Sequence, residues 1–130
     1  LRLAQANAKL NGVAEKIRFS RGDLQGPLTG TPELVMANLP YICAQDYARL
    51  PKEVRSQPRS SLLAQRFGLG HFKRLLSELT LKSGGRVMLE IGFDQARGVQ
   101  SLCSGNSDLL YERTVKDLAG HDRVAVIAAT

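Results

Sequence analysis

The sequence has no tryptophan, and aromatics supply only 5% of its residues against 43% for hydrophobic residues as a whole. Its core must therefore be aliphatic, with little aromatic stacking to hold it. There are two cysteines, Cys43 and Cys103, far apart and each without a second thiol nearby. That spacing excludes the paired cysteines of a zinc or redox motif and points to reduced thiols in a cytoplasmic setting. No apolar run approaches the roughly 20 residues needed to cross a bilayer, and no charged-then-apolar leader opens the chain, so no membrane contact is expected. Glycine-rich phosphate loops are missing as well. Neither G-x-G-x-x-G nor a P-loop pattern occurs, and Gly68-Leu69-Gly70 opens a helix without following a strand.

With 130 residues the chain has enough length for one domain with a real core, read here as a single unit over 1–130. Its formal charge is +6, yet the 18 Lys and Arg are scattered and no dense basic run is interleaved with aromatics. The charge biases the protein toward acidic or RNA-containing partners without marking a nucleic-acid site. The first residue is Leu1 rather than Met, and it falls inside a helical pattern, so a piece of a longer protein is expected.

Leu3, Ala6 and Leu10 share one face of a helix over 2–11, stopped by Asn11-Gly12. Ile17–Ser20 alternates as a strand does, Gly26-Pro27 and Gly30-Thr31-Pro32 mark a loop, and Glu33–Asn38 reads as a second strand. Cys43–Arg66 is polar and carries Pro51 and Pro58, which predicts a long irregular connection around one short helix. Helical spacing returns over Phe67–Leu81. Arg86–Ile91 is a nearly continuous apolar strand of the kind buried on both faces, and Asp94 can cap a helix through about Cys103. Strands over Leu109–Val115 and Arg123–Ala129 are joined too tightly for a crossover, so that pair should be antiparallel. The order is α/β with a mostly parallel sheet.

Within it, "MANLPYI" stops an apolar strand on Asn38 and then stiffens the chain with Pro40. Two readings stand open. Asn38 turns the chain, or it holds a polar group of a substrate at the carboxyl end of a parallel strand, where open α/β sheets bind their ligands. In the second reading the Asn38 side-chain carbonyl and the Leu39 backbone carbonyl each accept one hydrogen of a planar NH2 group, freeing its lone pair for attack. Tyr41 can lay its ring on the flat face of that group. Asp23, in turn, follows the strand over Ile17–Ser20 and reads from the residues alone as part of a Gly-Asp turn.

Asn38-Leu39-Pro40-Tyr41 resembles the (Asn/Asp/Ser)-Pro-Pro-Tyr motif of S-adenosylmethionine-dependent methyltransferases that modify NH2 nitrogens. The tetrapeptide alone fits rRNA or DNA adenine methyltransferases too. The segments EVRSQPRSSL, GLGHFKRLL, LKSGGRVMLEIGFDQA and KDLAGHDRVAVI narrow the choice. Their order and spacing resemble the peptide chain release factor N5-glutamine methyltransferases, the HemK/PrmC family, over the C-terminal part of the catalytic domain.

The resemblance implies a class I methyltransferase (Rossmann-like) fold with sheet order 3-2-1-4-5-7-6, an antiparallel last strand, and the first two strands outside this sequence. It implies methyl transfer from S-adenosylmethionine, without a metal, to the glutamine of a Gly-Gly-Gln loop in release factors, near the ribosome but without direct nucleic-acid binding. Asn38, Leu39, Pro40 and Tyr41 would bind the glutamine amide, with Asn38 also close to the donor. Asp23 would accept from the adenine amino group and Leu24 would cover the adenine ring. Glu90, Gln95 and Arg123 match family positions and read as structural, and His71 and His121 as solvated or capping groups. Leu39 replaces the motif's first proline, Leu24 an often aromatic residue, Gln57-Pro58 a usual Glu-Pro, and Ala64-Gln65 two glycines. The family's Gly-rich donor loop, ribose-binding acid and N-terminal helical domain all precede the point at which this sequence starts. The rival reading is therefore a fragment with no activity of its own, which would bind S-adenosylmethionine weakly or not at all. Without its two neighbours, Ile17–Ser20 should rearrange to pair with Leu34–Asn38, pair with another copy, or await strands carried elsewhere.

Overall fold

A computed structural model describes residues 1–26, 30–65 and 67–130, so Pro27 of the expected loop and Arg66 of the expected connection lie outside the described residues. The chain divides into two compact units, Leu1–Gly30 and Thr31–Thr130.

The first unit opens with α1, Arg2–Leu10. It ends as Asn11-Gly12 predicts: Gly12 takes a left-handed φ of +65°, and the Val13 N–H turns back to the Ala8 carbonyl at 2.9 Å. The expected apolar face is not buried, however. Leu3 and Leu10 are exposed, and Ala8 is the helix residue that is covered. After a 3₁₀ turn over Ala14–Lys16, Ile17 is extended, but no strand forms over Ile17–Ser20 among the described residues. The alternation there is real; what a strand also needs is a ladder partner, and none is described beside it.

The second unit is a four-stranded sheet in the order β1-β2-β4-β3. β1 is Leu34–Ala37, β2 Arg86–Glu90, β3 Leu109–Lys116 and β4 Asp122–Ala129. β1 and β2 are parallel, in a register that sets Leu34 against Arg86 and Ala37 against Leu89. β4 runs antiparallel between β2 and β3, so the other three strands share one direction. This mixed, mostly parallel sheet with an inserted antiparallel last strand is the arrangement expected for these segments.

Helix α4, Gly70–Glu78, buries Phe72, Leu75 and Leu76, and α5, Ala96–Ser104, buries Val99 and Cys103. With Val87, Leu89 and Ile91 and the continuously buried Ala125-Val126-Ile127 of β4, they form the core. Burial raises the Cys103 thiol to about 11, which leaves it an inert core group.

Three expectations change. β2 is not buried on both faces: Val87 and Leu89 are covered, while Met88 and Glu90 on the opposite face are half-buried and Arg86 is exposed. α4 starts at Gly70 rather than Phe67 because Phe67 (φ +56°) and Gly68 (φ +83°) are both left-handed. Asp94 does not cap α5; Gln95 occupies that position, and its side chain serves another purpose described below.

The connection between β1 and α4 carries two short helices instead of one, α2 (Ala44–Tyr47) and α3 (Lys52–Arg55), and a 3₁₀ turn over Arg59–Ser61. The Ile42 N–H donates to the Leu62 carbonyl at 3.0 Å and the Ala64 N–H to the Ile42 carbonyl at 2.9 Å. This parallel bridge pins the connection directly behind the Asn38–Tyr41 tetrapeptide.

Candidate active site

β1 is an apolar run, Leu-Val-Met-Ala, that is half covered, with Leu34 and Met36 exposed, and its hydrogen bonding to β2 stops at Ala37. Asn38 is the next residue, at the carboxyl end of a parallel strand, and its side chain is exposed. An asparagine that merely turns a chain usually accepts a hydrogen bond from the N–H two residues on. Here that residue is Pro40, which has no N–H to give. Neither the Asn38 side chain nor the Leu39 carbonyl has a hydrogen-bond partner among the described residues. The two acceptors are thus left available at the end of the strand, as an amide-binding role requires.

The other end of the tetrapeptide is held firmly. The Tyr41 hydroxyl donates to Glu90 Oε1, at the carboxyl end of β2, over 3.3 Å. Gln95 Nε2 donates to the Tyr41 carbonyl at 3.0 Å, and Gln95 Oε1 accepts from the Gly92 N–H at 2.9 Å. One side-chain amide therefore ties the tetrapeptide to the turn after β2. Gly68 closes on the same point: a Cβ there would lie 2.2 Å from both the Tyr41 carbonyl oxygen and Gln95 Nε2. Only glycine fits, by space and by φ.

Arg123, at the start of β4, donates to the Ile91 carbonyl at 3.2 Å and through Nε and Nη2 to Asp117 Oδ2 at 3.2 and 3.1 Å. Asp117 Oδ1 also accepts the backbone N–H groups of Ala119 and His121. The His121 N–H, then Arg123 and the Ala119 N–H, hold the Asp117 carboxyl below its ordinary range. Burial first, and the Glu90 charge second, push the Tyr41 phenol above its ordinary value, with Arg123 opposing. Tyr41 is consequently neutral at physiological pH and serves as a hydrogen-bond donor and an apolar surface.

Tyr41 borders a crevice of about 610 Å³ shared with Cys43, Phe67, Phe93, Gln95 and Arg123, among others. Phe67 and Phe93 are largely exposed there, and the Phe93 ring meets that of His121 at 6.1 Å between centroids. Asn38, Leu39 and Pro40 do not line it.

Asp23 and Leu24 lie in the first unit and form a turn closed by the Gly26 N–H on the Asp23 carbonyl at 3.1 Å. Leu24 is half-buried with φ +48°, a left-handed conformation that costs about 1–2 kcal/mol in a non-glycine residue.

The sequence alone reads Glu90, Gln95 and Arg123 as structural, as strand-end, helix-start and hairpin groups. Two of them bond Tyr41 directly, and Arg123 acts on its hydroxyl through charge, so the three groups form one brace. The signal was present in the string LEIGFDQA, but strand-end and helix-start residues do not announce which loop they reach.

The architecture is the class I methyltransferase type of α/β fold, represented by its C-terminal portion, with the tetrapeptide at the carboxyl end of β1, the edge strand of the described sheet. In sequence the chain belongs to the HemK/PrmC family and corresponds to the C-terminal part of its catalytic domain. It is 36% identical over 126 residues to the release factor glutamine methyltransferase of Moorella thermoacetica, covering 95% of this chain and 44% of that protein. The proteins of the same name from Nitratidesulfovibrio vulgaris (37% over 129 residues; 95% and 44%) and Caulobacter vibrioides (39% over 132 residues; 97% and 45%) align similarly. The chain thus spans less than half the length of the curated relatives it matches. No family model matches it.

Proposed function

We propose that this chain carries the amide-binding part of a protein glutamine-N5 methyltransferase that acts on the Gly-Gly-Gln loop of peptide chain release factors. The observation that carries the reading is the pair of unengaged acceptors, Asn38 and Leu39, at the carboxyl end of β1, on a loop fixed at Pro40 and Tyr41. A primary amide resists attack through its nitrogen because the lone pair is conjugated with the carbonyl. Two acceptors fixed in space, each taking one N–H hydrogen, favour the arrangement in which that lone pair is directed outward. Because the loop is held before substrate arrives, little reorganisation is needed, and such preorganisation supplies several kcal/mol of barrier lowering. Leu39 retains the carbonyl that the role needs despite replacing a proline. Tyr41, braced through its hydroxyl and its carbonyl, fixes the direction of the loop and offers its ring to the flat amide.

S-adenosylmethionine supplies the methyl group on a sulfonium, activated for direct displacement. In this reading Asp23 accepts from the adenine amino group and Leu24 covers the ring, while Asn38 serves donor and acceptor alike. The setting is cytoplasmic, in keeping with two free thiols.

The test is mass spectrometry of a release factor after incubation with the full-length protein carrying this sequence and S-adenosylmethionine. A gain of one methyl on the glutamine of the Gly-Gly-Gln loop is expected. Methylation confined to adenine in RNA or DNA would reassign the site to the nucleic-acid enzymes that share the tetrapeptide.

A further inference from the structure

The charge of +6 is concentrated in one stretch. Residues 49–74 contain seven of the 18 Lys and Arg and only one of the 12 acidic residues, Glu53, so this stretch alone carries a net charge equal to that of the whole chain. The basic residues looked scattered because cations do occur throughout; it is the acids that avoid this segment.

Of those cations, Lys52, Arg55, Arg59 and Lys73 are exposed and form no ion pair with a described residue. The bridge through Ile42, the residue after Tyr41, ties the middle of this stretch, at Leu62–Ala64, to the chain leaving the tetrapeptide. Arg49 lines the crevice that Tyr41 borders, and Lys73 lines a second crevice of about 690 Å³ with Ala44 and Leu63. The cationic stretch is therefore tied, through its middle, to the chain that leaves the candidate amide site.

We propose that the exposed cations Lys52, Arg55, Arg59 and Lys73 form a docking surface for the acidic face of the protein substrate, steering and holding the body of the protein whose glutamine enters beside Asn38. This rests on the function proposed above and names what that site needs in addition: one glutamine side chain presents too little surface to select a partner. Charge complementarity on the rim of a site raises the association rate and suppresses wrong partners. A single-stranded nucleic acid would need aromatic faces open among the cations. Here Tyr47, just before the stretch, has the Arg59 guanidinium over its ring at 4.7 Å, and within the stretch Phe72 is fully buried and Phe67 is exposed.

The experiment uses the full-length protein carrying this sequence and its triple variant Lys52→Gln/Arg55→Gln/Lys73→Gln, three exposed side chains outside the candidate site. Binding to a purified release factor is titrated at low and high salt, and methylation is followed on that release factor and on a short peptide containing its Gly-Gly-Gln loop. The variant should bind the release factor about tenfold more weakly at low salt, with the gap closing as salt rises, because exposed charges are screened over about 10 Å at 0.1 M. Methylation of the short peptide should be unchanged. A release factor that is methylated by both forms and bound equally at every salt concentration overturns the docking surface while leaving the proposed function intact. Absence of glutamine methylation by the unsubstituted protein overturns the function first. Preferential binding of an RNA oligonucleotide, lost in the triple variant, overturns the choice of a protein partner.

Discussion

Asn38 and Tyr41 stand at opposite ends of one tetrapeptide and are treated in opposite ways. Tyr41 is gripped through its hydroxyl by Glu90 and through its carbonyl by Gln95, with Gly68 pressed against the same point. Asn38 is exposed and gripped by no described residue. A loop that only reversed the chain would have no reason for this asymmetry, since it gains stability by satisfying both ends. A loop that presents acceptors to a ligand needs one end anchored and the other left open. The difference also separates two kinds of substitution, those that should cost stability and those that should cost activity.

The largest effect is expected at the anchored end. Gly68→Ala forces a Cβ into the Tyr41 carbonyl and Gln95 at a φ of +83°, and should destabilise the unit by about 3 kcal/mol in chemical denaturation. A loss under 1 kcal/mol would mean that the grip is loose. Asn38→Ala should do the reverse in the full-length protein carrying this sequence. There kcat for glutamine methylation should fall about a hundredfold, as on removal of one preorganised hydrogen-bonding group, while the unfolding midpoint stays put. A change confined to KM would reduce Asn38 to a binding role.

Tyr41→Phe removes one hydrogen bond and should cost about 1 kcal/mol of stability, measured by the same denaturation. The smallest expected effects come from pH, and they have opposite signs at the two extremes. The Asp117 carboxyl is held below its ordinary value near 3.8 in the folded hairpin, so its contribution is complete above that value and is lost as pH falls through the lower folded one. The Tyr41 phenol is raised above 10, so the unfolded chain ionises first and stability declines as pH climbs past about 10. Asp117→Asn should shallow the acid-side slope, the remainder coming from Glu112, which the Arg86 guanidinium also holds below its ordinary value, and leave the alkaline one.

Most of the sheet was readable from local pattern. The short Lys116–Asp122 connection forces the β3–β4 hairpin, and the apolar density of Arg86–Ile91 and Arg123–Ala129 assigns them to the interior. Ile17–Ser20 shows the limit of such reading, because alternation reports a preference and a strand is made by its neighbour. Leu3 and Leu10 show the same limit for a helix, whose apolar stripe says which face seeks cover but supplies none. At the site, Asn38 could be placed from sequence because the strand ends where the proline begins. The brace could not. It joins Tyr41 to Glu90 and Gln95 across about fifty residues, and no periodicity encodes a contact at that separation.

That separation bears on the order in which the chain assembles. β3 and β4 meet through a turn of a few residues, a closure of the kind completed within about 1–10 μs. β1 reaches β2 only after the whole of 38–85 has been gathered into a loop, with Leu34 set against Arg86, and the entropy of that closure has no reward until the parallel ladder forms. β1 is also short and bonded to the sheet on one side alone. The amides of Leu34–Ala37 should therefore exchange with solvent faster than those of β4, and Asn38 sits on the part of the sheet that is last to form and first to open.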